Sequence, residues 1–172
     1  MAFKLILALA IKNGLKTTDV FNQYVDIATL GTIADVVPLL GENRVIVDKG
    51  LKILHNPKRI GIRAIMEVAG VLDKPLSAST IAFSIAPRLN AAGRLGSAAT
   101  AVELLLTNDE SRARELALLL DTENKERQQT ERQIFDEALE LIAKDPNFEK
   151  KKVIVLAQEN WHQGVIGIVA SR

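Results

Sequence analysis

Apolar residues recur at three- and four-residue intervals along most of this chain, the period of helices with one buried face. The pattern predicts a helix over Ala2–Lys12, stopped by Asn13-Gly14, and a second over Thr18–Ile33. A third is expected over Glu42–His55, closed by Asn56-Pro57, and a fourth over Gly61–Ala69, ending before Gly70. Ser77–Ile85 is a short piece apolar on one side, and Ser97–Leu106 is another helical segment. From Asp109 to Lys144 there is no Gly or Pro, Thr107–Glu110 offers a capping-box start, and Pro146 marks the stop. That element would be on the order of 50 Å long.

The middle of the long helix, Asp121–Gln133, has no large apolar residue, so it is expected to bridge two folded bodies through solvent. Leu116, Leu119 and Leu120 would dock on one body, and Ile134, Phe135, Ala138, Leu139 and Ile142 on the other. The same gap interrupts any heptad seam and counts against a coiled coil. Beyond Pro146 the pattern changes: Lys152–Ala157 (KVIVLA) is apolar and β-branched, predicting a strand, then a polar turn and a helix opening at Gln163-Gly164. The fold class is therefore predominantly α, with one long connecting helix and one β-strand near the C-terminus.

Composition narrows the function classes. A net charge of +1 excludes a polycation, so any nucleic-acid binding must come from local groups such as Lys58, Arg59 and Arg63, or Lys150, Lys151 and Lys152. The absence of cysteine excludes disulfides and thiolate metal sites and suits a reducing compartment. Ala2–Ile11 is apolar but too short to span a bilayer, and it lacks the flanks of a signal peptide. A cytoplasmic location without membrane attachment is the expectation.

Three segments carry candidate chemistry. Ser84–Ser97 (SIAPRLNAAGRLGS) sets Arg88, Asn90 and Arg94 on what reads as a loop rich in Gly and Ala, with Gly93 and Gly96 permitting positive φ and close backbone approach. Planar guanidinium forks match phosphate or carboxylate oxygens, although arginines at a helix–helix turn can equally be structural. In Asn160–Arg172 (NWHQGVIGIVASR), the first amides of a helix opening at Gln163-Gly164 would favour an anion, while Ser171 and Arg172 lie about two turns on. Trp161 and His162 read either as a packed aromatic and a satisfied imidazole or as functional groups. Asp35 lies between Ala34 and Val36-Val37-Pro38, where an acid needs a cation or a helix N-terminus as partner; on its own it reads as a capping or turn residue.

Taken with Asp26–Arg44 (DIATLGTIADVVPLLGENR), these strings resemble the RecJ branch of the DHH phosphoesterase family, single-strand-specific 5′→3′ DNA exonucleases. GTIADVVPL resembles the family's fourth motif, PRLNAAGR its arginine loop and WHQGVIGIVASR the start of its associated domain. The resemblance implies an α/β two-domain parent. Residues 1–107 would be the later helical part of the DHH domain, 108–146 the connecting helix and 147–172 the start of the associated domain. It further implies that Asp35 ligates a divalent metal, Mn2+ or Mg2+, in a two-ion centre. Arg94, with Arg88 and Asn90, would contact phosphate near the reacting centre, while His162, Ser171 and Arg172 would grip the nucleic acid. Single-stranded DNA is the implied partner, in repair and recombination. The family's DxD pair and Asp-His-His triplet are not in the sequence, whose histidines are His55 and His162 alone. A central fragment, inactive by itself and prone to self-association through unpartnered apolar ends, is therefore expected. The alternatives are a non-catalytic helical binding module or a piece of another DHH phosphodiesterase such as a nanoRNase.

Overall fold

The computed structural model describes residues 1–172, the side chain of Glu149 excepted. Its elements run α1 (Ala2–Lys12), α2 (Thr17–Ala34), α3 (Gly41–Leu54), α4 (Ile60–Val68), α5 (Ala78–Thr80), a π-helical turn (Ile81–Ile85), α6 (Ala86–Leu95), α7 (Ala98–Leu106), α8 (Glu110–Ala143), a 3-10 turn (Phe148–Lys150) and α9 (Gln163–Val169). Two of the predicted stops are glycine caps of one kind. Gly14 and Gly70 both take φ +67°, and the amide after each reaches back five residues, Leu15 to Ala10 and Val71 to Met66.

Helices α2 to α4, α6 and the first half of α8 enclose one apolar core, with Leu54, Ile62, Ile65, Ile81, Ile85, Leu104 and Leu120 wholly buried. Small residues set the crossings. A Cβ on Gly50 would lie 1.8 Å from Thr29 Oγ1, whose hydroxyl donates to the Ile46 carbonyl across the α2–α3 contact. A Cβ on Gly61 would lie 1.7 Å from the Leu104 carbonyl oxygen, so α4 and α7 touch backbone to backbone. The basic group near residue 60 is largely spent on structure: Arg59 pairs with buried Asp26 at 2.9 Å and also donates to the Gln23 carbonyl, while Arg63 pairs with Glu110.

Four expectations are corrected. The run read as an arginine loop is helical, because Pro87 near the start of α6 has the fixed φ a first turn needs and Ala91 and Ala92 bury a small face. Gly93 and Gly96 are accordingly not at positive φ. The expected strand is absent among the described residues: 152–157 runs without a ladder, no neighbouring strand being present to satisfy its backbone, and Val153, Ile154 and Val155 face solvent. The cap of α8 is Asp109, whose carboxylate accepts from the Arg112 amide, and not Thr107, which caps Asp109 itself.

The fourth correction concerns the middle of α8. Asp121, Asn124, Arg127 and Glu131 are buried, continuing the apolar stripe of Ala113, Leu116, Ala117 and Leu120 at helical spacing. This stretch does not bridge through solvent; α8 packs along α4, α6, α7 and α9. Asp121, Asn124, Arg127 and Glu131 are accommodated there because each finds a charge-bearing partner.

Candidate nucleic-acid interface

The π turn before α6 fits one extra residue into the helix and turns Phe83 outward while Ile81 and Ile85 stay in the core. On the solvent side of this continuous helical run lie Phe83, Asn90, Gly93 and Arg94. Gly93 meets no atom that a Cβ would strike, so nothing within the fold requires glycine there. A bare patch of helix beside Arg94 is what the close approach of a ligand backbone would use.

Arg88 points the other way. Its Nε donates to Asp121 at 2.8 Å and its Nη1 to the Ser84 carbonyl, with the side chain mostly buried. Burial alone would raise the Asp121 carboxyl, but the Lys125 hydrogen bond and the Arg88 charge outweigh it and hold it below the usual carboxylate range. Arg88 is thereby fixed to α8, its guanidinium already committed on two nitrogens.

Arg94 joins the two candidate segments. Its Nη1 donates to the Gly164 carbonyl at 3.0 Å, and a Cβ on Gly164 would lie 2.4 Å from the Arg94 carbonyl, so the end of α6 and the start of α9 clasp each other directly. His162 caps α9, its Nδ1 accepting the Gly164 amide at 3.1 Å. That first-turn donor is satisfied within the chain. Trp161 is half-buried and donates from its indole to Glu137 at 2.7 Å; the Gln133 hydrogen bond first, and this one after it, hold the Glu137 carboxyl below its ordinary value. Ser171 donates to the Ile168 carbonyl, while Arg172 reaches α8, pairing with Glu131 at 2.6 Å and lying over the Phe135 ring.

Asp35 stands apart from this cluster. It ends α2, its amide bonded to the Gly31 carbonyl, and its side chain is exposed with no hydrogen bond or ion pair among the described residues. The apolar company expected to demand a compensating partner does not enclose this acid, because Val36 and Leu40 are themselves exposed. Val36 has φ +53°, a left-handed conformation that a β-branched residue adopts only under strain. An exposed carboxylate free of competing bonds suits a hard divalent ion as one ligand. No group of three or more His, Cys, Asp or Glu able to hold a metal occurs among the described residues.

Sequence reasoning missed Arg127, Glu131 and Glu123. The first two follow from spacing, since 124, 127 and 131 share a face with the apolar stripe of α8. Glu123 lies under the α6–α7 junction, where a Cβ on Gly96 would meet it at 2.8 Å, and its Oε2 is buried with no partner. Burial, with the neighbouring Glu126, pushes its carboxyl above the ordinary value. A raised acid favours folding while protonated, and that contribution is lost as pH climbs through the raised value. Glu123→Met is thus expected to raise the melting temperature at pH 7 by about 3 °C, from ~1 kcal/mol of relieved desolvation. The gain should shrink towards pH 4; melting curves at both pH values check it, and an equal gain at both would refute this account.

No protein-family model matches the chain. It is 43% identical over 181 aligned residues to the single-stranded-DNA-specific exonuclease RecJ of Haemophilus influenzae, covering all of this chain and 32% of that protein. It is 42% identical over 172 residues to RecJ of Thermus thermophilus, covering all of this chain and 24% of the relative, and 40% identical over 151 residues to RecJ of Bacillus subtilis, covering 88% and 19%. The chain thus spans a third or less of the length of these curated relatives. Among solved structures, it superposes on Thermus thermophilus RecJ in complex with Mn2+ with a TM-score of 0.85 and on the Mg2+ complex with 0.86, each at 41% identity over 99% of this chain. Among the described residues no helix is long and apolar enough to cross a membrane. Similarity in sequence and in fold runs from one end of the chain to the other, and it makes this chain a homologue of the RecJ single-stranded-DNA-specific exonucleases.

Proposed function

We propose that this chain supplies part of a metal-dependent 5′→3′ exonuclease that hydrolyses phosphodiesters of single-stranded DNA in repair and recombination, in the cytoplasm. The observation that carries the reading is the superposition of 99% of the chain on Mn2+-bound RecJ at 41% identity. Residues 1–107 would be the later helices of the DHH domain, 108–146 the connecting helix and 147–172 the start of the associated domain.

Each residue then has a role its surroundings allow. Asp35, exposed and unbonded, contributes one carboxylate to a divalent ion. Such an ion, when bound, polarises the phosphodiester and lowers the pKa of a bound water. Arg94 gives one nitrogen to Gly164 and keeps the rest of its fork for a phosphate, flanked by exposed Asn90. Arg88 acts from beneath, tying α6 to α8 through Asp121. His162 orders the start of α9, Ser171 closes its far end on the Ile168 carbonyl, and Arg172 ties that end to α8 while half-exposed to backbone phosphate. A surface bearing these groups binds single strands with an affinity that falls as salt rises.

The test is a chimera in which this chain replaces the homologous segment of Thermus thermophilus RecJ. Mn2+-dependent digestion of single-stranded DNA within about tenfold of the recipient is expected, a factor that costs ~1.4 kcal/mol of barrier. An inactive but folded chimera overturns the proposal. The 172-residue chain by itself should be inactive, because it brings one carboxylate where a two-ion centre needs several. It should also self-associate through exposed Leu5, Leu9 and Ile11 of α1 and Val153–Val155. Sedimentation giving only an 18.8 kDa monomer at tens of micromolar, the range of ~10 μM and above where exposed apolar surface associates, would sink that expectation.

A further inference from the structure

The polar stretch of α8 contains a socket whose members all converge on one surface group. Glu131, 5% exposed, places one carboxylate oxygen on each of two guanidiniums: Oε2 accepts from Arg127 Nη1 and Oε1 from Arg172 Nη2 at 2.6 Å. Arg127 is itself held by Asn124, whose Oδ1 accepts from Nε at 3.3 Å and from Nη2 at 3.0 Å. Arg127 is thus fully engaged and nearly buried, whereas the Arg172 side chain is 51% exposed and its guanidinium carbon lies 5.7 Å from the Phe135 ring centroid. The three side chains carry two positive charges and one negative, and Arg172 is the cationic member that reaches solvent.

We propose that Glu131 is the positioning residue for Arg172: with Phe135, it holds that guanidinium in one orientation so that its outer edge presents a prepared fork to a phosphate of single-stranded DNA. The inference rests on the reading of Arg172 as a phosphate contact. Its physical content is preorganisation. A free arginine loses side-chain entropy when it grips a phosphate, and one already clamped by a carboxylate and a ring has lost it in folding. Asn124 and Arg127 serve to keep Glu131 itself from turning, since both its oxygens are then directed.

Simple electrostatics and positioning predict opposite signs for one substitution. Glu131→Gln removes a negative charge beside the phosphate site, so charge alone predicts tighter binding; loss of the clamp predicts weaker binding. The measurement is fluorescence anisotropy of the full chain with two ten-nucleotide oligothymidylates, one 5′-phosphorylated and one with a 5′-hydroxyl, from low to moderate salt. Arg172→Ala is expected to weaken binding about tenfold and to lower the salt slope by ~0.7, one phosphate contact fewer. Glu131→Gln should weaken it about fivefold, and the double variant should be no weaker than Arg172→Ala alone, the signature of one residue acting through the other. Loss confined to the 5′-phosphorylated strand would assign the fork to the terminal phosphate, and equal loss on both to an internal one; either supports the proposal.

Unchanged or tighter binding by Glu131→Gln, with Arg172→Ala still impaired, overturns the positioning role and leaves the phosphate reading standing. Binding indifferent to Arg172→Ala, or undetectable for the unmodified chain, overturns the reading and the inference together. If Glu131→Gln does not fold by circular dichroism, Phe135→Leu decides, since it removes the ring and leaves the ion network intact. It is expected to weaken binding about twofold to threefold, the size of a partly exposed cation–π contact, and wild-type affinity there overturns the proposal.

Discussion

Gly61→Ala is expected to destabilise the chain by about 3 kcal/mol, lowering the melting temperature by ~10 °C for a chain of this length. The added methyl carbon would sit 1.7 Å from the Leu104 carbonyl oxygen, a backbone atom that no rotamer change can move aside. Relief requires α4 and α7 to separate, and Ile62, Ile65 and Leu104, all wholly buried, would lose contact together. A typical domain has only 5–15 kcal/mol of stability, in round numbers, so the loss is a large share of the total. Gly31→Ala is the matched control: it lies within α2 with nothing near its added carbon, and a stabilisation of roughly 0.8 kcal/mol is expected from helix propensity alone. Thermal denaturation of both reads the contrast, and a Gly61→Ala protein melting like wild type would show that the two helices do not cross at this distance.

Asp35→Ala in the Thermus chimera is expected to lower exonuclease turnover by about a thousandfold, the rate equivalent of the several kcal/mol that a metal's electrostatic stabilisation supplies. Its effect on folding should be within ~0.5 kcal/mol, because the side chain is exposed and unbonded and the amide bond to Gly31 survives in alanine. These two readings together separate a ligand from a turn residue. Retained turnover, or a loss of activity that tracks a loss of stability, would remove Asp35 from the site. A fall in manganese binding alongside the fall in turnover supports it.

The sequence carried the helices well wherever one face was apolar, as in α1 to α4, and Gly14 and Gly70 stopped helices because only positive φ permits their returning hydrogen bonds. It misled where composition and geometry part company. PRLNAAGR looks like a loop because of its Gly and Asn, yet Pro87 suits a first turn, and Ala91 and Ala92 find a core to bury in. KVIVLA looks like a strand because Val and Ile suit a pleated surface, but strand formation is a property of a pair and the described residues include no partner strand. Asp121–Gln133 looks like a solvated bridge because polarity was equated with exposure. Asn124, Arg127 and Glu131 keep the helical register of the core stripe and are buried by pairing, which no hydropathy pattern expresses. That Arg88 and Arg94 belong to one short segment was legible. That Arg88 faces α8 and Arg94 faces α9 was not, since five residues of α6 separate them and only the tertiary packing says which side is which.

Helix α8, 34 residues without Gly or Pro, has no joint along its length. At ~51 Å it behaves as a lever: one degree of tilt at the end packed on α4 moves the other end by about 0.9 Å. Long helices bend smoothly with radii of roughly 60–100 Å, so such displacements need no broken hydrogen bond. Any adjustment between the groups at its two ends is therefore elastic and graded, with a restoring force, and a ligand that changes their spacing works against a spring instead of tipping a switch.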